Sequence, residues 1–251
     1  MTPGTNPGTV VFIGAGPGAA DLITLRGARW LGRADVVLFD ALTDPALHEL
    51  APQARWVDVG KRGFRHSTGQ ATIDALLVAL ARTHRVVVRL KGGDPSIFGR
   101  LEEELQALAA HGIGAEVVPG VTAALAAAAD TLRPLTRRGG GRSVTLSTAM
   151  TREGTLRATQ QADTEVFYMA GRQLGALGRR LLAAGWAPDT PVCVVSRAGW
   201  PDQLASDHTP ATLAAASVLH AGRPTVVTVG AGARPLASRR ANHDTGAPIR
   251  P

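Results

Sequence analysis

Lys91-Gly92-Gly93-Asp94-Pro95-Ser96-Ile97-Phe98-Gly99-Arg100 follows a run at 86–90 that reads as a buried strand. A strand that ends in two glycines, a carboxylate and a proline is a ligand loop. Glycine admits positive φ and close backbone approach, and proline stiffens the turn. Of the 27 lysines and arginines only Lys61 and Lys91 are lysines, and both stand in glycine-containing turns after apolar runs. There an ammonium, which loses its proton more readily than a guanidinium, is the group in use. Asp40 closes the apolar run 36–39, and His66 and Gln70 follow Lys61 in the same loop. Strand-end carboxylate, strand-end lysine and Gly-Gly-Asp turn would meet in one cleft, where a carboxylate can act as base and an ammonium as acid.

A second glycine loop, Gly14-Ala15-Gly16-Pro17-Gly18-Ala19, follows the run 10–13. It satisfies the alanine-ending form of the dinucleotide fingerprint, with Asp40 available for a ribose hydroxyl. Pro17-Gly18 interrupts the place where a helix N-terminus should receive a pyrophosphate. A dinucleotide enzyme therefore stands as a rival reading, and a glycine turn without ligand and an Asp40 that caps the helix near Pro45 are the plainer alternatives.

Positioning these residues requires an alternation of short β-branched runs with alanine- and leucine-rich stretches at helical spacing, the pattern of parallel α/β units. Strands are predicted at 10–13, 36–39, 56–59, 86–90 and 116–118, and helices at 22–31, 45–50, 70–82, 100–110 and 122–130. After 133–142, rich in arginine and glycine, the pattern resumes with strands at 144–147, 165–169, 191–196 and 225–229 and helices at 173–184 and 209–218. Two α/β lobes, 9–133 and 143–236, with a linker at 134–142 and flexible tails at 1–8 and 237–251, fit this order.

Hydrophobic residues make up 45% and charged residues 19%, the balance of a chain that buries a core. No apolar run nears the roughly 20 residues that cross a bilayer. The first nine residues have neither basic residues nor an apolar core, so a cytoplasmic protein without membrane contact is expected. A net charge of +7 calls for an acidic partner, but scattered basic residues and 4% aromatics make a poor platform for nucleic acid. A polyanionic small molecule is expected instead. The lone Cys193, in an apolar run, reads as buried, and the histidines show no paired ligand spacing, so no metal is expected.

The blocks Gly14 to Gly18, Asp40, Gly60-Lys61-Arg62, His66 with Gln70, Lys91 to Arg100, Pro119-Gly120-Val121-Thr122-Ala123-Ala124 and Tyr168-Met169 occur together and in order. In this the chain resembles the tetrapyrrole (precorrin) methyltransferases from about Val10 to Leu236. The resemblance implies a two-lobed α/β tetrapyrrole methylase fold, a homodimer, and S-adenosylmethionine held in the cleft between lobes. It implies methyl transfer to pyrrole carbons of uroporphyrinogen III or a related polycarboxylate tetrapyrrole, giving precorrin-2 through precorrin-1 on the way to sirohaem or cobalamin. By matching positions, Asp40 accepts a proton and Lys61 donates one. Pro17, Gly92, Gly93, Asp94, Ile97, Thr122, Ala123, Met169 and Ala198 contact the methyl donor, and His66, Arg137 and Arg138 the substrate carboxylates.

The pattern is broken after Ala124, where the family carries hydroxyl residues, a tyrosine and Ile-Pro, and at Leu135-Thr136-Arg137-Arg138-Gly139-Gly140, where it has Leu-Thr-His-Arg-Asp-Tyr. Ser147-Thr148-Ala149 replaces a Thr-Gly-His turn. The departures fall on the acceptor side of the cleft, so a different corrin intermediate as substrate, or a weakly active paralogue, is the alternative within the family.

Overall fold

The computed structural model describes residues 7–60, 69–150 and 156–236. Its first sheet contains β1 (Thr9–Gly14), β2 (Val36–Phe39), β3 (Arg55–Asp58), β4 (Val86–Lys91) and β5 (Ala115–Val118) in the order β3-β2-β4-β1-β5. Every pairing is parallel. Parallel strands need crossovers on the sheet faces, supplied by α1 (Leu25–Leu31), α2 (Gln70–Ala81) and α3 (Leu101–Ala109). The strand period divides the apolar residues accordingly. Val10, Phe12, Val36 and Leu38 meet Ile73 and Leu77 of α2 and Leu108 of α3. Val11, Ile13, Val37, Val88 and Leu90 turn to the other face, against Leu31 of α1 and Leu47.

A second sheet follows α4 (Ala123–Asp130): β6 (Val144–Thr148), β7 (Thr164–Tyr168), β8 (Val192–Ser196), β9 (Leu204–His208) and β10 (Thr225–Gly230), ordered β6-β7-β10-β8-β9. The β6–β7 pair is parallel and the rest antiparallel. Phe167, Val192, Val194, Val227 and Val229 bury one face under α5 (Leu174–Ala183) and Leu213, just before α6 (Ala216–Leu219). The opposite face receives α4, whose Ala124, Ala126 and Ala127 pack on Val166, Cys193, Val195 and Val226. This helix, expected with the first lobe, lies on the second sheet because an alanine face lets two backbones approach closely. Cys193 is buried and free.

The segment after α4 is tied down at both ends. Arg133 forks onto Asp207 and reaches the Ala233 carbonyl at 3.0 Å, and the Thr164 hydroxyl donates to the Leu135 carbonyl at 2.9 Å. Among the described residues no helix is long and apolar enough to cross a membrane, and no group of His, Cys, Asp or Glu is suited to a metal ion.

Candidate active site

The carboxyl ends of β1, β4 and β5 bring their loops into contact, the place where open parallel sheets hold ligands. Gly93 N donates to Gly16 O at 2.7 Å, and Ala15 N to Lys91 O at 2.8 Å. Gly120 touches both other loops so closely that a Cβ there would lie 2.4 Å from Gly93 O and 2.7 Å from Gly14 Cα. Asp94 locks the arrangement, accepting from Ser96 N at 2.7 Å through Oδ1 and from Gly120 N at 2.9 Å through Oδ2. The glycine loop after β1 is thus closed onto its neighbours, and regular helix resumes only at Leu25. Only one 3-10 turn, Ala20–Leu22, follows the loop directly, and no α-helix N-terminus sits there to take a pyrophosphate, which removes the physical basis of the dinucleotide reading.

These loops form one wall of a cleft with an empty volume of about 880 Å³ including its open mouth. Pro17 comes from the first loop, Gly92, Gly93, Asp94 and Ile97 from the second, Thr122 and Ala123 from the start of α4. The second lobe supplies the other wall, with Met169 after β7, Arg197, Ala198 and Trp200 after β8, Pro224 just before β10, and Thr225 and Val226 on it. Hydrogen bonds hold the walls together, among them Ala19 N to Gly199 O at 2.7 Å. Thr122 Oγ1 lies 2.7 Å from Tyr168 Oη, and the Trp200 indole N–H donates to Pro17 O at 3.1 Å. Burial pushes the Tyr168 hydroxyl above its ordinary pKa, so it stays a neutral partner for Thr122. Phe98, Met169 and Arg197 line this cleft with φ of 52°, 57° and 52°. Left-handed backbone at such residues is strain of the kind held at ligand sites.

Leu42 and Phe98 are shared with an adjoining chamber lined by Asp40, Gln70, Arg89, Lys91 and Arg100. Here the walls are charged. Arg89 donates from Nη2 to Asp40 Oδ1 at 2.6 Å and from Nε to Glu104 Oε1 at 3.1 Å, and Lys91 Nζ reaches Glu104 Oε2 at 2.8 Å. Glu104 is wholly buried, while the Asp40 side chain is 32% exposed. Two cations and two carboxylates make a neutral chain. Burial works against the Arg89 charge, but Asp40 and Glu104 outweigh it and raise the guanidinium pKa. For Lys91 burial, then the Arg89 charge, win over Glu104 and lower the ammonium pKa. Asp40 is thus an ion-pair partner; the cap of the following turn is Asp44, whose Oδ1 accepts from Ala46 N at 2.9 Å.

Residues 9–215 match the family model of the Tetrapyrrole (Corrin/Porphyrin) Methylases. The chain is a tetrapyrrole methylase. Among relatives of this methylase, the uroporphyrinogen-III C-methyltransferase of Pseudomonas aeruginosa is 47% identical over 195 residues, 76% of this chain and 80% of that protein. The siroheme synthase of Hahella chejuensis is 43% identical over 78% of this chain, which spans only 43% of that longer protein. A crystal structure of the Thermus thermophilus uroporphyrin-III C-methyl transferase, complexed with S-adenyl homocysteine, superposes with a TM-score of 0.78. It is 36% identical, with 89% of this chain and 97% of that one covered.

Every residue expected at the methyl donor lies on the wall of the one cleft in this methylase, and Asp40 lies in the chamber beside it. Lys61 and His66 fall outside the described residues. Arg137 and Arg138 are in neither lining. Arg137 turns its Nη2 onto the Arg234 carbonyl and pairs its backbone with Gly141, which leaves Arg138 exposed on the intervening turn. The tight turn that carries them is backed by the second sheet. Missing from the expected set are Trp200, Arg197 and the 224–226 wall, whose residue types carry no local sign of a ligand. Arg89 and Glu104 were missed as well, and the only available cue was a charge on a strand and a helix otherwise built to be buried.

Proposed function

We propose that this methylase transfers methyl groups from S-adenosylmethionine to two pyrrole carbons of uroporphyrinogen III, giving precorrin-2 through precorrin-1. The observation that carries the reading is the convergence of all the donor-type residues on one inter-lobe cleft that opens beside the Asp40 chamber. The residues present fit the donor: a largely apolar wall for the adenosine, a carboxylate and a hydroxyl at Asp94 and Thr122, and no side chain at Gly92 or Gly93, where Gly93 takes φ of 72°. The sulfonium supplies an electrophilic methyl group, and the carbon–methyl bond forms as the sulfur–methyl bond breaks, its electron pair staying on sulfur. Holding the two in line is most of what the protein contributes, worth up to roughly 7 to 11 kcal/mol for well-oriented reactants. The alkylated ring system then sheds one proton. Asp40, aimed by Arg89 through Oδ1, accepts it, and Lys61 serves as the acid of the cycle.

The substrate is a macrocycle rimmed by carboxylates, and Arg100 and the chain's net charge of +7 attract it. The protein acts in the cytoplasm, away from membrane and nucleic acid, as a homodimer whose contact draws on exposed Leu125 and Leu132 and on Leu146 of the edge strand β6. Calorimetric titration with S-adenosylhomocysteine, repeated on Asp94→Ala, tests the donor site, and turnover of uroporphyrinogen III tests the acceptor. Micromolar binding lost in the variant, with formation of precorrin-2, is expected. No binding by the wild type would overturn the reading. Binding without turnover would move the acceptor to another corrin intermediate, the reading favoured by the broken pattern at Leu135 to Gly140.

A further inference from the structure

Behind the cleft, on the far face of the second sheet, runs a chain of hydroxyls and imidazoles, buried at Ser196, Thr225 and His220 and half-buried at Ser206 and His208. His220, fully buried, sets Nδ1 2.5 Å from Ser196 Oγ and Nε2 2.8 Å from Ser206 Oγ. Ser196 Oγ is 3.0 Å from Thr225 Oγ1, and Ser206 Oγ is 2.8 Å from His208 Nε2. Ser196 pairs with Thr225, and Val194 with Ser206, so all three hydroxyls stand on one face by the strand period. The residues beside them turn the other way: Val195 and Val226 line the cleft. Ser196 is the last residue before Arg197 and Ala198, and Thr225 lies between Pro224 and Val226, so the chain ties together two strand ends that form the cleft wall.

Proton counting gives the chain a direction. The Thr225 hydroxyl donates to Arg223 O at 2.8 Å, so toward Ser196 it is an acceptor. The single Ser196 proton is then committed to Thr225, and the bond to His220 requires a proton on Nδ1. A neutral ring has a bare Nε2, which accepts from Ser206, and Ser206 accepts from His208 Nε2–H. Each hydroxyl donates once, and no bond lacks a proton. A charged ring would have to donate from both nitrogens, and Ser206 and His208 would have to reverse. Burial first, then the basic His208 and Arg223 that face the ring, lower the His220 pKa below the ordinary imidazole value.

We propose that neutral His220 is a positioning residue for the methyl-donor site, its Nδ1–H fixing through Ser196 and Thr225 the spacing of the β8 and β10 ends. A directed chain of hydrogen bonds admits one geometry, which apolar side chains of the same size would not impose. Arg197, at φ 52°, leaves β8 from this fixed point. The inference rests on the cleft being the donor site.

Two measurements test it. Nitrogen-15 NMR of histidine-labelled protein at neutral pH reads the His220 tautomer, and calorimetry compares S-adenosylhomocysteine affinity in wild type, His220→Asn and His220→Gln. Asn places an amide nitrogen where Nδ1 stands and keeps the donor to Ser196; Gln reaches the Nε2 position and keeps only the Ser206 side. The expected results are a neutral Nδ1–H ring, affinity within about threefold of wild type for Asn, and about tenfold weaker for Gln, the worth of one buried hydrogen bond. An Nε2–H or charged ring, or equal affinity in all three proteins, overturns the proposal, and the wild-type tautomer decides it should both variants fail to fold. Wild-type protein that does not bind the ligand at all removes the donor-site reading itself, whatever the tautomer.

Discussion

The inter-lobe cleft and the chamber beside it share Leu42 and Phe98 and are otherwise built from different materials. The loop wall of the cleft is peptide backbone: glycines against glycines, with the Asp94 carboxylate spent on two amides. Ion pairs build the chamber, and their members come from β4, α3 and the residue after β2. A site made of backbone is specified by short runs of residues that permit close approach. One made of buried charges is specified by balance, and removing one member exposes the rest.

The comparison is broken most severely at Glu104. Glu104→Leu leaves Lys91 without its carboxylate and Arg89 with only Asp40, and urea unfolding should show a loss of about 3–5 kcal/mol. Adding Lys91→Met should recover more than half of that, since the remaining Arg89–Asp40 pair is balanced. Gly120→Ala attacks the other material. Its Cβ meets backbone atoms that have nowhere to move, so about 1–3 kcal/mol of stability and most S-adenosylhomocysteine binding should be lost together. Tyr168→Phe deletes only the hydroxyl that meets Thr122 across the lobes, and calorimetry should find binding weakened about fivefold, for roughly 1 kcal/mol. The smallest effect separates the back of the second sheet from both sites. His220 holds a proton less readily folded than unfolded, so below about pH 6.5 the unfolded chain takes up the proton that the native ring refuses. Stability should fall as pH drops through that window toward the lowered folded pKa, and His220→Asn should flatten this part of the profile.

The same contrast governs what the sequence shows in advance. Loops made of backbone advertise themselves, because Gly92-Gly93-Asp94-Pro95 and Pro119-Gly120 have few other uses after a strand, and the residues carried over with those blocks do meet on one wall. The parallel first sheet was equally plain from its β-branched runs. Charge networks join distant residues: Arg89 lies 49 positions from Asp40 and 15 from Glu104, and no local pattern marks them as partners. Strand β9 was not anticipated, since Leu-Ala-Ser-Asp-His has little β-branched character and forms as an edge by pairing with β8. Placing α4 with the first lobe followed the change of composition near Arg133, whereas its alanines are claimed by the second sheet.

That placement of α4 has a mechanical result. The polypeptide leaves the first sheet at Val118 and is seated on the second by Ala124, so it changes lobes within the few peptide bonds that also border the cleft. The Trp200 indole on Pro17 ties the same two lobes a second time. A connection this short couples the width of the cleft to the angle between the lobes.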